Sequence, residues 1–157
     1  MYETIQWKEF ASSQSCKTLR EYRHGWYHDR LLHQLKDPYM RIIRKCRLGQ
    51  SELAQHSFFH NPEASNTCQH CHMQQPETLS HFFLQCPAHA QHRSKYLASI
   101  SPILKELELP KNQVKSFLGF NDRMTSKNYC RETRCKRKRL YEHTCDFLRD
   151  TKRFRFV

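Results

Sequence analysis

Glycine is nearly absent, with three residues in a chain of 157. A turn-rich β fold needs glycine wherever the backbone enters positive φ, so helices are expected instead. No stretch comes near the roughly 18 consecutive apolar residues that a bilayer crossing requires. The start, Met1-Tyr2-Glu3-Thr4, lacks a basic segment followed by an apolar one, so no secretory leader is read there. An intracellular protein without membrane contact is expected. Internal repeats and strict apolar/polar alternation are also missing.

Cysteine, by contrast, is plentiful, with eight residues beside eleven histidines. In a reducing compartment, cysteines clustered with histidine read as metal ligands rather than as disulfides. Cys16, Cys46, Cys130, Cys135 and Cys145 lie apart from the cluster and read as small buried hydrophobes. Positive charge is also in excess: the formal net charge is +12, and residues 123–157 hold twelve Lys and Arg against four Asp and Glu. Such a segment attracts polyanions, of which nucleic acid is the commonest large one inside a cell. The competing readings are a solvated helix face or a nuclear import signal at Lys136-Arg137-Lys138-Arg139.

Apolar spacing places the helices. Leu19, Tyr22, Trp26, Tyr27, Leu31 and Leu35 recur at steps of three and four, and Pro38 ends that helix. From Tyr39 a second helix puts Tyr39, Ile42, Ile43 and Cys46 on one face, with Gly49 as its stop. Ser51 opens a short third helix towards Phe58 and Phe59. Pro76-Glu77-Thr78 begins another, carrying Leu79, Phe82 and Phe83 inwards until Pro87 interrupts it. Ala90, Leu97 and Ile100 mark a further helix, and Ile103, Leu104 and Leu107 form a separate short set between Pro102 and Pro110. Val114, Phe117 and Leu118 precede Gly119. A last helix covers about Lys127 to Lys152, with Leu140, Thr144, Phe147 and Leu148 as its apolar stripe. The expected architecture is all-α: an N-terminal helical segment (1–38), a zinc-binding helical domain (39–120), and a basic C-terminal helix with its tail (121–157).

The chemistry is concentrated at Cys68, Cys71, His81 and Cys86, which give the pattern C-x2-C-x9-H-x4-C. A C-x2-C turn supplies two thiolates from one tight loop, and zinc wants four such soft or borderline donors in a tetrahedron. His81 and Cys86 reach the same ion if the end of their helix loosens before Pro87. Four protein ligands leave no open position, so the Zn2+ is expected to be structural rather than catalytic. His70, His72, His89 and His92 are near enough in sequence to compete for the fourth place. His81 is favoured because Phe82 and Phe83 beside it can pack inwards. Cys130, Cys135, His143 and Cys145 do not make a second site, since four residues along one helix cannot converge.

Around the cysteines stand Arg47-Leu48-Gly49-Gln50-Ser51, Leu53, His56, and the run Glu77-Thr78-Leu79-Ser80-His81-Phe82-Phe83-Leu84-Gln85-Cys86-Pro87. Together they resemble the zinc-binding (CCHC) region that follows the reverse transcriptase domain of non-LTR (LINE-type) retrotransposons. The likeness is dense over residues 41–97. It continues loosely into Phe117-Leu118-Gly119 and Phe147-Leu148-Arg149-Asp150-Thr151-Lys152-Arg153, while residues 1–40 carry no matching motif. The resemblance implies a module that helps a reverse transcriptase hold template RNA or target DNA. It does not imply polymerization, because no Tyr-x-Asp-Asp or other paired aspartates are present to hold two magnesium ions. Nor does a Pro-Asp with an acidic-x-Lys set follow Cys86, as a restriction-like nuclease would need.

The expected function is therefore non-catalytic zinc and nucleic-acid binding. Arg41, Arg44, Lys45 and Arg47 precede the cysteine pair, Arg93 and Lys95 follow it, and Arg134, Lys136, Arg137, Lys138 and Arg139 lie in the tail. These are the candidate phosphate contacts. Tyr22, Trp26 and Tyr27 can stack on bases, although their helical spacing favours packing. The alternative, from a different class, is a zinc-stabilised protein-interaction adaptor whose basic tail directs it to the nucleus.

Overall fold

The computed structural model describes residues 34–119 and 130–154, and of Phe59 and His60 only the backbone. The helix expected over Leu19 to Leu35 lies outside these residues except for its last two positions. With it go Cys16 and the aromatic group Tyr22, Trp26 and Tyr27. The described chain is helical and contains no strand. In order come α1 (Tyr39–Arg47), α2 (Ala54–His60), a π-helical turn (His81–Gln85), a 3-10 turn (Pro87–His89), α3 (Ala90–Glu106), α4 (Val114–Phe117) and α5 (Arg131–Thr151).

In α1, Ile42, Ile43 and Cys46 face inwards as their spacing predicts, but Met40 joins them and Tyr39 is only half-buried. The helix stops in a Schellman motif, in which Gly49 at φ +65° lets its own N–H reach Cys46 O (3.2 Å) and the Gln50 N–H reach Lys45 O (2.8 Å). Helix α2 starts three residues later than Ser51 suggested. The Ser51 hydroxyl is taken by His56 Nδ1 at 2.6 Å, and the start of α2 is capped instead by Glu77, whose Oε2 accepts from Ala54 N–H at 2.7 Å. A carboxylate at this position also opposes the positive end of the helix dipole.

The break expected at Pro102 does not occur, because α3 runs through it as a single 17-residue helix. Pro102 and Ala98 are both exposed. Water can therefore satisfy the Ala98 carbonyl that proline leaves without a donor. Tyr96, Ile100, Ile103 and Leu104 form the buried face.

Helix α5 lies between α1 and α3 and is antiparallel to both. Lys95 pairs with Asp150 and Glu106 with Lys136 at opposite ends of α3. Asp37 pairs with Arg149, while Arg47 meets the Tyr141 hydroxyl at 2.5 Å. The core crosses from residues 40–118 into α5, which buries Leu140, Tyr141, Thr144, Cys145, Phe147 and Leu148. Aromatic rings fill its centre: Tyr96 stacks on Phe147 at 4.9 Å, and Phe82 meets Phe83, Phe147 and Phe154 at 5.0–5.6 Å. Each fully buried ring contributes about 1.5–3 kcal/mol from burial, plus ring geometry.

Gly119, at φ +72°, sits where a Cβ would fall 2.6 Å from the Tyr141 ring. Gly119→Ala therefore combines backbone strain with a clash against a buried ring that cannot yield. It should cost about 2–3 kcal/mol, seen as a lower midpoint in chemical denaturation.

Candidate metal centre

Two local structures bring the donors together. The first is a hairpin-like loop: Cys68 N–H bonds Gln75 O and Glu77 N–H bonds Asn66 O, both at 2.8 Å, with a bridge between Thr67 and Pro76. Gln74 adopts positive φ (49°) to turn the chain. The loop holds Cys68 and Cys71 at one end and Glu77 at its base. The second is the turn His81–Gln85, closed by Cys86 N–H to His81 O at 2.6 Å. In an α-helix two residues five apart project about 140° apart. The wider i→i+5 turn reduces that offset and brings Cys86 round beside His81. Thr78 starts this turn, its hydroxyl accepting from His81 N–H at 2.9 Å.

The ligand atoms of Cys68, Cys71, His81 and Cys86 all lie within 4.8 Å of one another. Cys68 Sγ is 4.0 Å from Cys86 Sγ, and Cys71 Sγ is 3.4 Å from His81 Nε2. Metal bonds of about 2.3 Å to sulfur and 2.0 Å to nitrogen put tetrahedral neighbours about 3.8 Å (S to S) and 3.5 Å (S to N) apart. These two edges are close to those lengths and all the others lie within 4.8 Å, so the cluster can hold a metal ion and is compatible with Zn2+. The backbone N–H groups of His70 and Ala88 face the sulfurs of Cys68 and Cys86 closely enough to favour their thiolate forms. His70, His72, His89 and His92 are not in the cluster, so the geometry selects His81 as the histidine donor. Cys130, Cys135, His143 and Cys145 make no second cluster among the described residues.

Burial raises the Cys68 thiol above its ordinary range and takes Cys86 up to about 12. Burial lowers His81, with Arg93 acting in the same direction and Glu77 against it. Without a metal the two buried thiols stay protonated at neutral pH and His81 stays neutral, so metal uptake must expel thiol protons.

The surroundings are held by residues that spacing alone did not connect. Glu77 is buried (2% exposed) and accepts from Arg153 Nε (2.5 Å) and Nη2 (2.6 Å). Burial by itself raises the Glu77 carboxyl, but Arg153 and the Ala54 N–H outweigh it and hold the group below the usual carboxylate range. Arg93 donates to Cys86 O at 2.9 Å. Nothing in the sequence links positions 77 and 153.

The basic residues separate into two groups. Arg137 is buried and donates to Gly119 O (2.6 Å) and the Tyr141 hydroxyl (3.2 Å), and Arg47 Nε donates to Leu118 O (2.7 Å). These two arginines hold the α4 end of the core, Arg137 buried and Arg47 half-buried. Arg41, Lys95, Arg134, Lys138 and Arg139 are exposed, while Arg44, Lys45, Arg93 and Lys136 are half-buried. Lys136 is flanked by Glu106 and Glu132, Lys138 by Glu142, and Lys45 by Glu52. Arg134 donates to Gln34. No helix among the described residues is long and apolar enough to cross a membrane.

No protein-family model, curated protein or solved structure matches the chain.

Cobalt titration checks the cluster directly. The wild type should take up one equivalent with thiolate-to-metal charge-transfer absorption, and Cys86→Ser should lose most of that affinity. Because each bound thiolate must first lose its proton, affinity should fall as pH drops below neutrality, by up to tenfold per thiol per pH unit. His81, with its lowered pKa, should add to that slope only at more acidic pH.

Proposed function

We propose that this chain is a non-catalytic zinc-binding module that contacts nucleic acid, of the kind that follows the reverse transcriptase domain in LINE-type retrotransposons. The observation that carries the reading is the donor set itself: three cysteines and one histidine would fill all four positions of a tetrahedral ion, leaving none for a substrate. In this reading Zn2+ shapes a scaffold and performs no chemistry. The net charge of +12 supplies the attraction to phosphate. Its partner is template RNA or target DNA, engaged beside a reverse transcriptase.

The outer face of the first half of α5 is the strongest candidate for contact. Arg131, Arg134, Lys138 and Arg139 are exposed there, on the side away from the buried stripe that includes Leu140 and Thr144. Arg41, on the exposed side of α1, adds a further cation. Arg47 and Arg137 are excluded from the contact set, since their guanidiniums are bound to backbone carbonyls.

Fluorescence anisotropy of the zinc-loaded protein with single-stranded RNA and duplex DNA should show micromolar or tighter binding that weakens steeply with salt. Replacing Lys138 and Arg139 together with alanine should lower the log–log salt slope by about two while leaving the fold intact. Failure to bind either nucleic acid at low salt would sink the reading.

A further inference from the structure

The last described residues of the chain do not trail away from the metal cluster. Lys152 adopts a left-handed conformation (φ 50°) at the end of α5, and the next two residues turn back towards the ligand loop. Arg153 then forms the two-pronged ion pair with Glu77 and donates from Nη2 to Glu52 O at 2.9 Å. Phe154, 3% exposed, packs edge-on against Phe82 at 5.4 Å.

These two contacts reach both halves of the donor set. Glu77 stands at the base of the hairpin whose other end carries Cys68 and Cys71, and its backbone N–H closes that hairpin on Asn66. Phe82 directly follows His81 in the turn that also places Cys86. A closed centre of three thiolates, one neutral imidazole and a divalent ion carries a net charge of −1. The Arg153 guanidinium lies within electrostatic reach of Cys68. Groups that orient and electrostatically complement metal ligands typically change metal affinity 10–100-fold when removed.

We propose that Arg153 is a positioning residue for the metal centre, acting through Glu77 to clasp the ligand loop and slow release of the ion. This inference rests on the reading of the cluster as a zinc site. It assigns to the end of α5 a task separate from nucleic-acid contact, because the Arg153 side chain is only 15% exposed and its guanidinium is engaged by a buried carboxylate.

The test uses the full chain loaded with zinc and an excess of a chromogenic chelator, with release followed over time. Arg153→Gln and Glu77→Gln should each release zinc at least tenfold faster than wild type. The double variant should be no faster than the quicker single variant, because both substitutions break one interaction. Helicity and the cobalt absorption spectrum should be unchanged, which separates faster release from loss of fold or of a ligand. Should Arg153→Gln fail to fold, Arg153→Lys, which keeps the charge but loses the paired geometry, is expected to give an intermediate rate. Lys95→Ala, which removes an exposed ion pair at the same end of α5, should leave the rate at the wild-type value.

Release from Arg153→Gln (or, should that fail to fold, Arg153→Lys) at the wild-type rate would overturn the proposal and leave the zinc reading standing. The same follows from acceleration in the double variant equal to the product of the single effects. A wild-type chain that takes up neither cobalt nor zinc would overturn both.

Discussion

Three thiols and an imidazole crowded within 4.8 Å, three of the four buried, define the constraint on which the rest of this protein depends. Buried sulfurs with no metal would be protonated, weakly bonded groups with little reason to converge. With a divalent ion among them they become a rigid crosslink between two segments that share little regular structure. The hairpin from Asn66 to Glu77 and the widened turn at His81–Gln85 are both too short to persist alone. A bound ion would join them, and Phe82 and Phe83, the two residues after His81, would carry its rigidity into the aromatic core shared by α3 and α5.

Arginine supplies the second layer of order. Four guanidiniums are aimed at acceptors where helices and turns end: Arg47 at Leu118 O, Arg137 at Gly119 O, Arg93 at Cys86 O, and Arg153 at Glu77 and Glu52 O. A planar fork of donors suits this task better than lysine would, because it satisfies several acceptors from a fixed geometry. The formal charge of the chain therefore overstates its outward-facing charge. Those four cations act first as internal ties, while among the described residues Arg131, Arg134, Lys138 and Arg139 stand exposed on α5 and Arg41 on α1.

The helical character and the four-donor cluster were legible before any coordinates, since both follow from local spacing. Gly49 stopped α1 as its position implied, and His81 and Cys86 converged through the loosened turn that their separation required. Other features were not legible: Cys130 and Cys135, read as small buried hydrophobes, are exposed at the start of α5. Ser51 looked like a helix cap, but His56 five residues on took its hydroxyl. Pro102 looked like a break, but its position on an exposed face allowed α3 to continue. The Glu77–Arg153 pair spans 76 residues, and no periodicity links groups that tertiary folding alone brings together. Arg47 and Arg137 likewise donate to the Leu118 and Gly119 carbonyls, contacts that no local spacing reveals.

X-ray absorption at the zinc edge of the purified protein tests the central claim most directly, because it reads the ligand atoms themselves. The account predicts one zinc per chain with three sulfur neighbours at about 2.3 Å and one nitrogen at about 2.0 Å, and no oxygen ligand. A shell containing water or carboxylate oxygen, or fewer than three sulfurs, would contradict it.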